Sequence, residues 1–143
     1  MMSFATSPTD LPRFIDLPRI YDPRGNLSFT QNGDGLLPFD IQRVYWVYDV
    51  PAGEERGAHS HHQGKELILS LSGSFNVNLF NGREWLHYTL NRPFKGLYVP
   101  PGYWRTLDNF SSGAVCMVLT STLYDEADYV RDFDEFMKLT QGQ

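Results

Sequence analysis

A short segment of the chain holds residue types that can transfer protons or bind a metal ion. The segment EERGAHSHHQGKE, residues 54–66, contains three of the four histidines of the chain together with Glu66. If the backbone is extended here, His59 and His61 project from one face and His62 from the other, because side chains alternate along a strand. The following strand is expected to return the carboxylate of Glu66 to the face of the first two histidines.

Three chemical interpretations of this segment are open. Two histidines and a carboxylate that converge inside a β-barrel could bind a divalent metal. The same groups could act as acid and base, because imidazole titrates near neutral pH and a neighbouring carboxylate can tune it. An H-x-H pair in a polar segment could also lie in an exposed loop with no role. The spacing alone does not choose among them.

The rest of the sequence predicts an all-β protein of short strands. Apolar runs rich in β-branched and aromatic residues recur about every ten residues, and Asn81-Gly82 between two alternating runs predicts a hairpin. This spacing, with no helical period, is typical of an antiparallel sandwich or barrel. The runs are IQRVYWVYDV, ELILSLSG, SFNVNLFNG, REWLHYTL, KGLYVPP and GAVCMVLTS.

The 143 residues are expected to form a single domain, since 41% of them are hydrophobic and no linker is visible. We expect its core over about 20–125. The tail DEADYVRDFDEFMKL predicts a C-terminal helix over about 126–140, with Tyr129, Phe133 and Phe136 near one face.

Composition and charge argue against two classes of partner. The net charge is −5 and no run of Lys or Arg occurs, so nucleic acid and anionic membrane surfaces are not expected to bind. No stretch approaches the roughly 20 apolar residues of a membrane span, and the N-terminus does not resemble a signal peptide. A cytoplasmic location is therefore expected. An anionic small molecule stays possible, because a few arginines can hold a phosphate in an acidic protein.

The histidine segment matches a known motif at every fixed position. Gly53 to Gly73 reads G-x5-H-x-H-x4-E-x6-G, which resembles the first motif of the cupin superfamily. The resemblance implies the cupin double-stranded β-helix, an antiparallel jelly-roll barrel, here with a short C-terminal helix.

The second cupin motif, P-x-G-x2-H-x3-N, resembles PPGYWRTLDN. Pro100, Gly102 and Asn109 match it, and Arg105 stands where the third histidine should be. A guanidinium is permanently charged and does not ligate a metal. We therefore expect no metal, and a proton-transfer site on the face of His59 instead.

Beyond the motifs, three large segments resemble one family. RVYWVYDVPAGEERGAHSHHQGKE, LYVPPGYWRTLDNFSS and LYDEADYVRDFDEF are similar to the small cupins that are nucleotide-linked sugar 3,4-ketoisomerases, over about Ile20 to Phe136. These enzymes act on dTDP-4-keto-6-deoxyglucose and form the 3-keto sugar on the route to 3-amino-3,6-dideoxy sugars of cell-surface glycans such as lipopolysaccharide or S-layer glycan. The resemblance implies a metal-free homodimer that needs no cofactor.

The resemblance also implies which residues act. His59 and His61 are expected to transfer protons through an enediol, in either assignment of base and shuttle, and Tyr45 to hydrogen-bond the developing enediolate. The residues expected to contact the substrate are Arg24, Arg43, Arg56, Glu66, Trp104, Arg105 and Asn109.

Two positions depart from the family pattern. Family members carry Trp-His in place of Trp104-Arg105, and often glutamine in place of Glu66. The extra carboxylate would favour an imidazolium, whereas the guanidinium would oppose it. Two alternatives to the ketoisomerase therefore stay open: another sugar-nucleotide cupin, such as an epimerase-like enzyme, and a non-catalytic binding cupin in which Arg105 has ended the chemistry.

Overall fold

The chain folds almost entirely into antiparallel strands. The structure is a computed structural model that describes residue 4 and residues 9–141. A 3-10 turn spans Glu126–Asp128, and helix α1 spans Phe133–Gln141. The strands are β1 (Arg13–Asp16), β2 (Arg19–Ile20), β3 (Leu27–Ser28), β4 (Arg43–Val47), β5 (Arg56–His61), β6 (Glu66–Ser72), β7 (Phe75–Phe80), β8 (Trp85–Leu90), β9 (Lys95–Val99), β10 (Trp104–Asp108), β11 (Val115–Thr120) and β12 (Tyr129–Val130).

Two five-stranded sheets form the barrel. The first sheet has the order β1-β9-β6-β11-β4, and the second has the order β12-β5-β10-β7-β8, while β2 and β3 form a separate two-stranded ribbon. The all-β antiparallel architecture expected from the sequence is confirmed. The hairpin predicted at Asn81-Gly82 joins β7 to β8, and Gly82 there has a φ of +99°, which glycine adopts without strain.

The main core lies between the two sheets and follows the alternation of the strands. Along β7, Phe75, Val77 and Leu79 are buried in this core, whereas the asparagines between them are only partly buried. Cys116 of β11 is fully buried in the same core, and burial raises the pKa of its thiol to about 12. The thiol is thus a packing group rather than a reactive one.

The N-terminal segment covers the outer face of the first sheet. Ile15 and Leu17 pack there against Leu67 and Leu69 of β6, which point away from the main core because Ile68 between them points into it. Buried apolar side chains therefore occur on the N-terminal side of residue 20, where the sequence placed the start of the core.

The C-terminal helix is shorter than the sequence predicted. The prediction of a helix from about 126 was wrong for the first seven residues, because Tyr129 and Val130 pair with β5 at the edge of the second sheet. The helix begins only at Phe133, one residue after Asp132, whose side chain accepts the amide of Asp134. No helix in the described part of the chain is long and apolar enough to cross a lipid bilayer.

Candidate active site

The two histidines of the H-x-H motif project into the barrel from β5. His59 and His61 lie on the same face, with ring centroids 4.9 Å apart, as the strand period predicted. The neighbouring strand β10 places Arg105 directly opposite His59 in the ladder. Strand β6 of the facing sheet contributes Glu66, which is 1% exposed. These four side chains form what we call the buried cluster.

The guanidinium of Arg105 lies at the centre of the buried cluster. Its Nη2 is 3.0 Å from Nε2 of His59 and 2.9 Å from Nε2 of His61, and it also donates to Oε1 of Glu66. The Nε of Arg105 donates to the same nitrogen of His59 at 3.2 Å. Because a guanidinium only donates, both Nε2 atoms must accept, and each imidazole carries its single proton on Nδ1.

The same geometry bears on the metal interpretation. One ligand atom from each of His59, His61 and Glu66 lies within 4.8 Å of the others, a spacing that would suit a divalent ion. All three residues are already hydrogen-bonded by Nη2 of Arg105. As arranged, these residues do not fit a metal ion, because a cationic side chain already engages the atoms that would ligate it.

Both histidines are held neutral. Burial and then the charge of Arg105 lower the pKa of His59 far below its ordinary value. Burial also lowers the pKa of His61, to about 4, against the opposing effect of a hydrogen bond to Asp128. Burial is thus the largest cause of both shifts, and the charge of Arg105 lowers both pKa values further. Neutral imidazoles are proton acceptors at neutral pH.

This perturbation predicts an acid-sensitive fold. An unfolded chain protonates His61 near pH 6.5, whereas the folded chain does so only near pH 4, so the unfolded state binds the extra proton between these values. The free energy of unfolding should therefore fall as pH decreases from about 6.5 to about 4. Urea denaturation across this range should show a shallower slope for H61N than for the wild type. Equal slopes would contradict the lowered pKa.

A cleft of about 360 Å³ leads from the surface to the buried cluster. His59 lines it, whereas His61 lies behind, with its ring 4.5 Å from that of Tyr129. The hydroxyl of Tyr45 donates to Oε2 of Glu66 at 3.3 Å, and burial raises the pKa of this phenol. The residues that line the cleft are Arg43, Tyr45, Arg56, Gly57, Ala58, His59, Tyr124, Tyr129 and Arg131.

A smaller inner cavity of about 80 Å³ lies beneath the cleft. Tyr45, His59 and Arg105 all line it, so a ligand atom that enters this space can reach all three. Arg56 and Gly57 line both spaces, which makes the inner cavity a continuation of the cleft. Of the three catalytic residues expected from the sequence, Tyr45 and His59 therefore line the inner cavity, whereas His61 does not.

A larger cavity of about 500 Å³ lies on the other side of Arg56. It holds no histidine, and its lining includes Asp49, Glu54 and Glu55. Three carboxylates would repel an anionic ligand. We therefore assign the chemistry to the smaller cleft beside the histidines.

Arginines surround the cleft, but not all those expected from the sequence. Arg43 lies 5.2 Å from the ring of Tyr45, and its two terminal nitrogens are 3.5 Å from the hydroxyl of Tyr129. Arg56 also lines the cleft. Arg24 does not join them: its side chain is 90% exposed on a turn and pairs with Asp22.

Trp104 and Asn109 also lie outside the cleft. Trp104 precedes Arg105 on β10, so strand alternation turns its ring to the other face, where it packs against Phe136 of helix α1. Asn109 follows the end of β10 with a φ of +53°, a left-handed conformation that asparagine tolerates. Within the chain, Trp104 therefore serves in packing, and Asn109 serves in a turn of the backbone.

Four residues of the site were missed in the sequence. Tyr124, Tyr129 and Arg131 line the cleft, and Asp128 accepts a hydrogen bond from His61. Three of them belong to the tail interpreted as a helix, and Tyr124 lies immediately before it. The signal that could have found them is the i, i+2 spacing of Tyr129 and Arg131, which suits a strand that presents both to one face.

Comparisons with known proteins identify the family of the chain. Residues 10–141 match the family described as FdtA: WxcM-like, C-terminal. The chain belongs to this family. It is 40% identical over 126 residues to the TDP-4-oxo-6-deoxy-alpha-D-glucose-3,4-oxoisomerase of Aneurinibacillus thermoaerophilus, a match that covers 88% of the chain and 90% of that relative. The family membership expected from the sequence is confirmed.

Two solved structures of 3,4-ketoisomerases superpose closely on the chain. The 3,4-ketoisomerase QdtA of Thermoanaerobacterium thermosaccharolyticum, in complex with TDP-4-keto-6-deoxyglucose, has a TM-score of 0.89 at 34% identity and covers 92% of the chain and 95% of its own. The TDP-quinovose 3,4-ketoisomerase WlaRB of Campylobacter jejuni has a TM-score of 0.84 at 38% identity, with coverage of 90% and 98%. The cupin-like fold is thereby confirmed.

Proposed function

We propose that this WxcM-like protein is a TDP-sugar 3,4-ketoisomerase, which moves the keto group of a TDP-4-keto-6-deoxyhexose from C-4 to C-3. The observation that carries the proposal is the neutral imidazole of His59, which opens onto an arginine-lined cleft beside Tyr45. The relatives and structural neighbours that share this fold at 30–40% identity carry the same activity in their names, which supports it.

The reaction requires one base that can reach two adjacent carbons. The C-3 proton is acidified by the neighbouring carbonyl, and His59 removes it while the electron pair forms an enediolate across C-3 and C-4. His59 then returns a proton to C-4, and the proton of the C-3 hydroxyl is transferred to the oxygen on C-4, so that a ketone forms at C-3 and a hydroxyl at C-4. Protons and electrons balance within the substrate, so no external oxidant or reductant is needed.

In the free protein, the lone pair on Nε2 of His59 accepts a hydrogen bond from Arg105. The substrate must break this bond before His59 can act as a base. The carbonyl oxygen at C-4 enters the inner cavity and accepts the guanidinium protons in place of the imidazole. Arg105 and the hydroxyl of Tyr45 then stabilise the negative charge that develops on this oxygen. In this mechanism the guanidinium supplies the positive charge at the place where other cupins hold a metal.

The diphosphate of the substrate is assigned to the rim of the cleft. Arg43, Arg56 and Arg131 surround its mouth, and arginine binds phosphate oxygens in pairs. In the free protein Arg131 forms two hydrogen bonds with Glu126, which a phosphate group can replace. The rings of Tyr124 and Tyr129 offer apolar surface to the nucleoside.

An isotope experiment tests the proposal. The protein is incubated with TDP-4-keto-6-deoxyglucose in deuterated water, and the product is examined by proton NMR. A 3-keto product that carries deuterium at C-4 is expected, because the imidazole exchanges its proton with solvent. Deuterium at C-5 would indicate an epimerase-like reaction instead, and binding without any product would indicate a non-catalytic cupin.

A homodimer is the second part of the proposal. The ribbon of β2 and β3 and the edge strand β4 expose large apolar side chains, which form what we call the outer patch. Trp46 pairs with Met117, which lines an apolar groove together with Phe29, so the patch is continuous across the sheet. The outer patch comprises Ile20, Leu27, Phe29, Val44, Trp46 and Tyr48. Exposed apolar surface of this kind marks an interface.

If the outer patch forms the dimer interface, a charge placed in it should convert the dimer into a monomer. Trp46 is 57% exposed, and replacement by glutamate places a charge in the centre of the outer patch. W46E should therefore sediment as a monomer at concentrations where the wild type sediments as a dimer. W85E is the matched control, because Trp85 is 43% exposed on β8 of the other sheet. A monomeric wild type would contradict this part of the proposal.

The cellular setting completes the proposal. We place the enzyme in the cytoplasm, in a route that supplies deoxy-amino sugars to cell-surface glycans such as lipopolysaccharide or S-layer glycan. The single cysteine, which is free and buried, suits a reducing compartment. Cell fractionation, and glycan analysis of a strain that lacks the protein, would test both points.

A further inference from the structure

Asp128 accepts four hydrogen bonds from the second histidine and the three residues that follow it. Its Oδ2 is 3.1 Å from Nδ1 of His61 and accepts the amide of Gly64 at 3.2 Å. Its Oδ1 accepts the amide of Gln63 at 2.7 Å, and its backbone carbonyl accepts the amide of His62 at 2.9 Å. Asp128 thus fixes the segment that follows His61 by accepting three consecutive backbone amides, those of residues 62–64.

The carboxylate and the guanidinium fix the tautomer of His61 from opposite sides. Asp128 can only accept at Nδ1, and Arg105 can only donate at Nε2. The imidazole therefore carries its proton on Nδ1 and turns its lone pair to Arg105. Burial would raise the pKa of Asp128, but the hydrogen bonds from His61 and the amide of Gln63 lower it overall, so it accepts as a charged carboxylate.

The bonds continue from His61 to the reacting end of the cleft. His61 holds Nη2 of Arg105 at 2.9 Å, and the same nitrogen contacts His59, which lines the cleft. Asp128 itself is absent from the lining of the cleft and of the inner cavity. Its influence on the substrate therefore passes through His61 and Arg105.

We propose that Asp128 is a positioning residue of the active site: it orients His61 as a fixed hydrogen-bond acceptor, which aims the guanidinium of Arg105 at the substrate oxygen. This inference rests on the proposed ketoisomerase function for its kinetic consequence. Its structural part, the orientation of His61, concerns the free protein alone.

Gly64 indicates how closely the carboxylate is packed. A Cβ atom built on Gly64 would lie 3.0 Å from Oδ2 of Asp128 and 3.4 Å from the ring of His61. A side chain there would crowd the carboxylate of Asp128 and lie in contact with the ring of His61. The short segment after β5 is thus shaped around the pair of Asp128 and His61.

The test compares D128N with the wild type. Asparagine has one acceptor oxygen in place of two, so either the amide of Gln63 or Nδ1 of His61 loses its acceptor. We expect the oxygen to stay on the shorter bond to Gln63 and the amide nitrogen to face His61, donor against donor. The kcat should fall about ten- to hundredfold, as losses of orienting partners do elsewhere, with KM within about twofold.

NMR can distinguish orientation of His61 by Asp128 from a purely structural role of Asp128, because it detects the proton on Nδ1 of His61 directly. Proton–nitrogen correlation spectra of the free wild-type protein should show His61 protonated on Nδ1, with a slowly exchanging proton that D128N loses. D132N is the matched control: Asp132 is exposed and its side chain accepts the amide of Asp134, so the variant should leave both the spectrum and kcat unchanged.

Each outcome decides the inference. An unprotonated Nδ1 in the wild-type protein overturns it even where D128N fails to fold. Wild-type kcat in a folded D128N overturns it as well. If the wild type shows no turnover, the proposed function fails, while the orientation of His61 is still judged by the spectrum of the free protein.

Discussion

Replacement of His59 by asparagine is expected to reduce turnover by about 100- to 10,000-fold, the range that a general base contributes. His59 is the histidine that lines the cleft, and no other imidazole in the described part of the chain lines it or the inner cavity. Asparagine keeps a similar volume and hydrogen-bonding capacity but cannot take up a proton. The melting temperature should therefore change little while the rate of isotope exchange collapses.

H61N should also reduce turnover, by at least about tenfold, because the shorter amide cannot reach from Asp128 to Arg105 as the imidazole ring does. H87N is the control for both variants: His87 is exposed on β8, and its ring is hydrogen-bonded to Asn78. The control should retain wild-type rates. Full activity in both H59N and H61N would overturn the assignment of the proton-transfer site.

Removal of the charge on Arg105 is expected to cost about 3–5 kcal/mol of unfolding free energy, because it leaves a buried carboxylate without its partner. Arg105 is 2% exposed and Glu66 is 1% exposed, so solvent cannot replace the lost interaction. R105M keeps most of the volume of the side chain and removes only its charge and donors. Urea denaturation at pH 7 measures the loss.

The matched control is the double variant E66Q/R105M, in which neither charge remains. It should recover most of the lost stability, since the cost arises from the unpaired carboxylate rather than from packing. Turnover should stay low in both variants, because the donor for the enediolate is absent. A stable R105M single variant would show that the buried cluster is not held by this ion pair.

Local periodicity made the histidine site predictable. A strand period of two places His59 and His61 on one face whatever the rest of the chain does. The same rule excluded His62, which is buried on the other face beside Phe4. Alternation also explains why Trp104 does not contact the site: adjacent residues on a strand point to opposite faces, and Trp104 is the immediate neighbour of Arg105.

The tail was misinterpreted because its apolar spacing fits two structures. Tyr129, Phe133 and Phe136 fall near one face of a helix, yet the edge of β5 offers backbone hydrogen bonds to Tyr129 and Val130. Such pairing joins residues nearly seventy positions apart in the sequence. No local pattern in the sequence can predict such pairing. Asp128, Tyr129 and Arg131 were therefore not assigned to the site from the sequence.

By itself, the sequence determined the strand pattern, the family, the paired histidines and the replacement of a metal-binding histidine by Arg105. These features depend on residue identity and on short-range periodicity, which the chain carries locally. Only the tertiary structure decided where the guanidinium of Arg105 points, which histidine reaches the cleft and that Asp128 orients the other. Those outcomes depend on contacts between strands far apart in the chain, because burial and facing charges exist only once the barrel has closed.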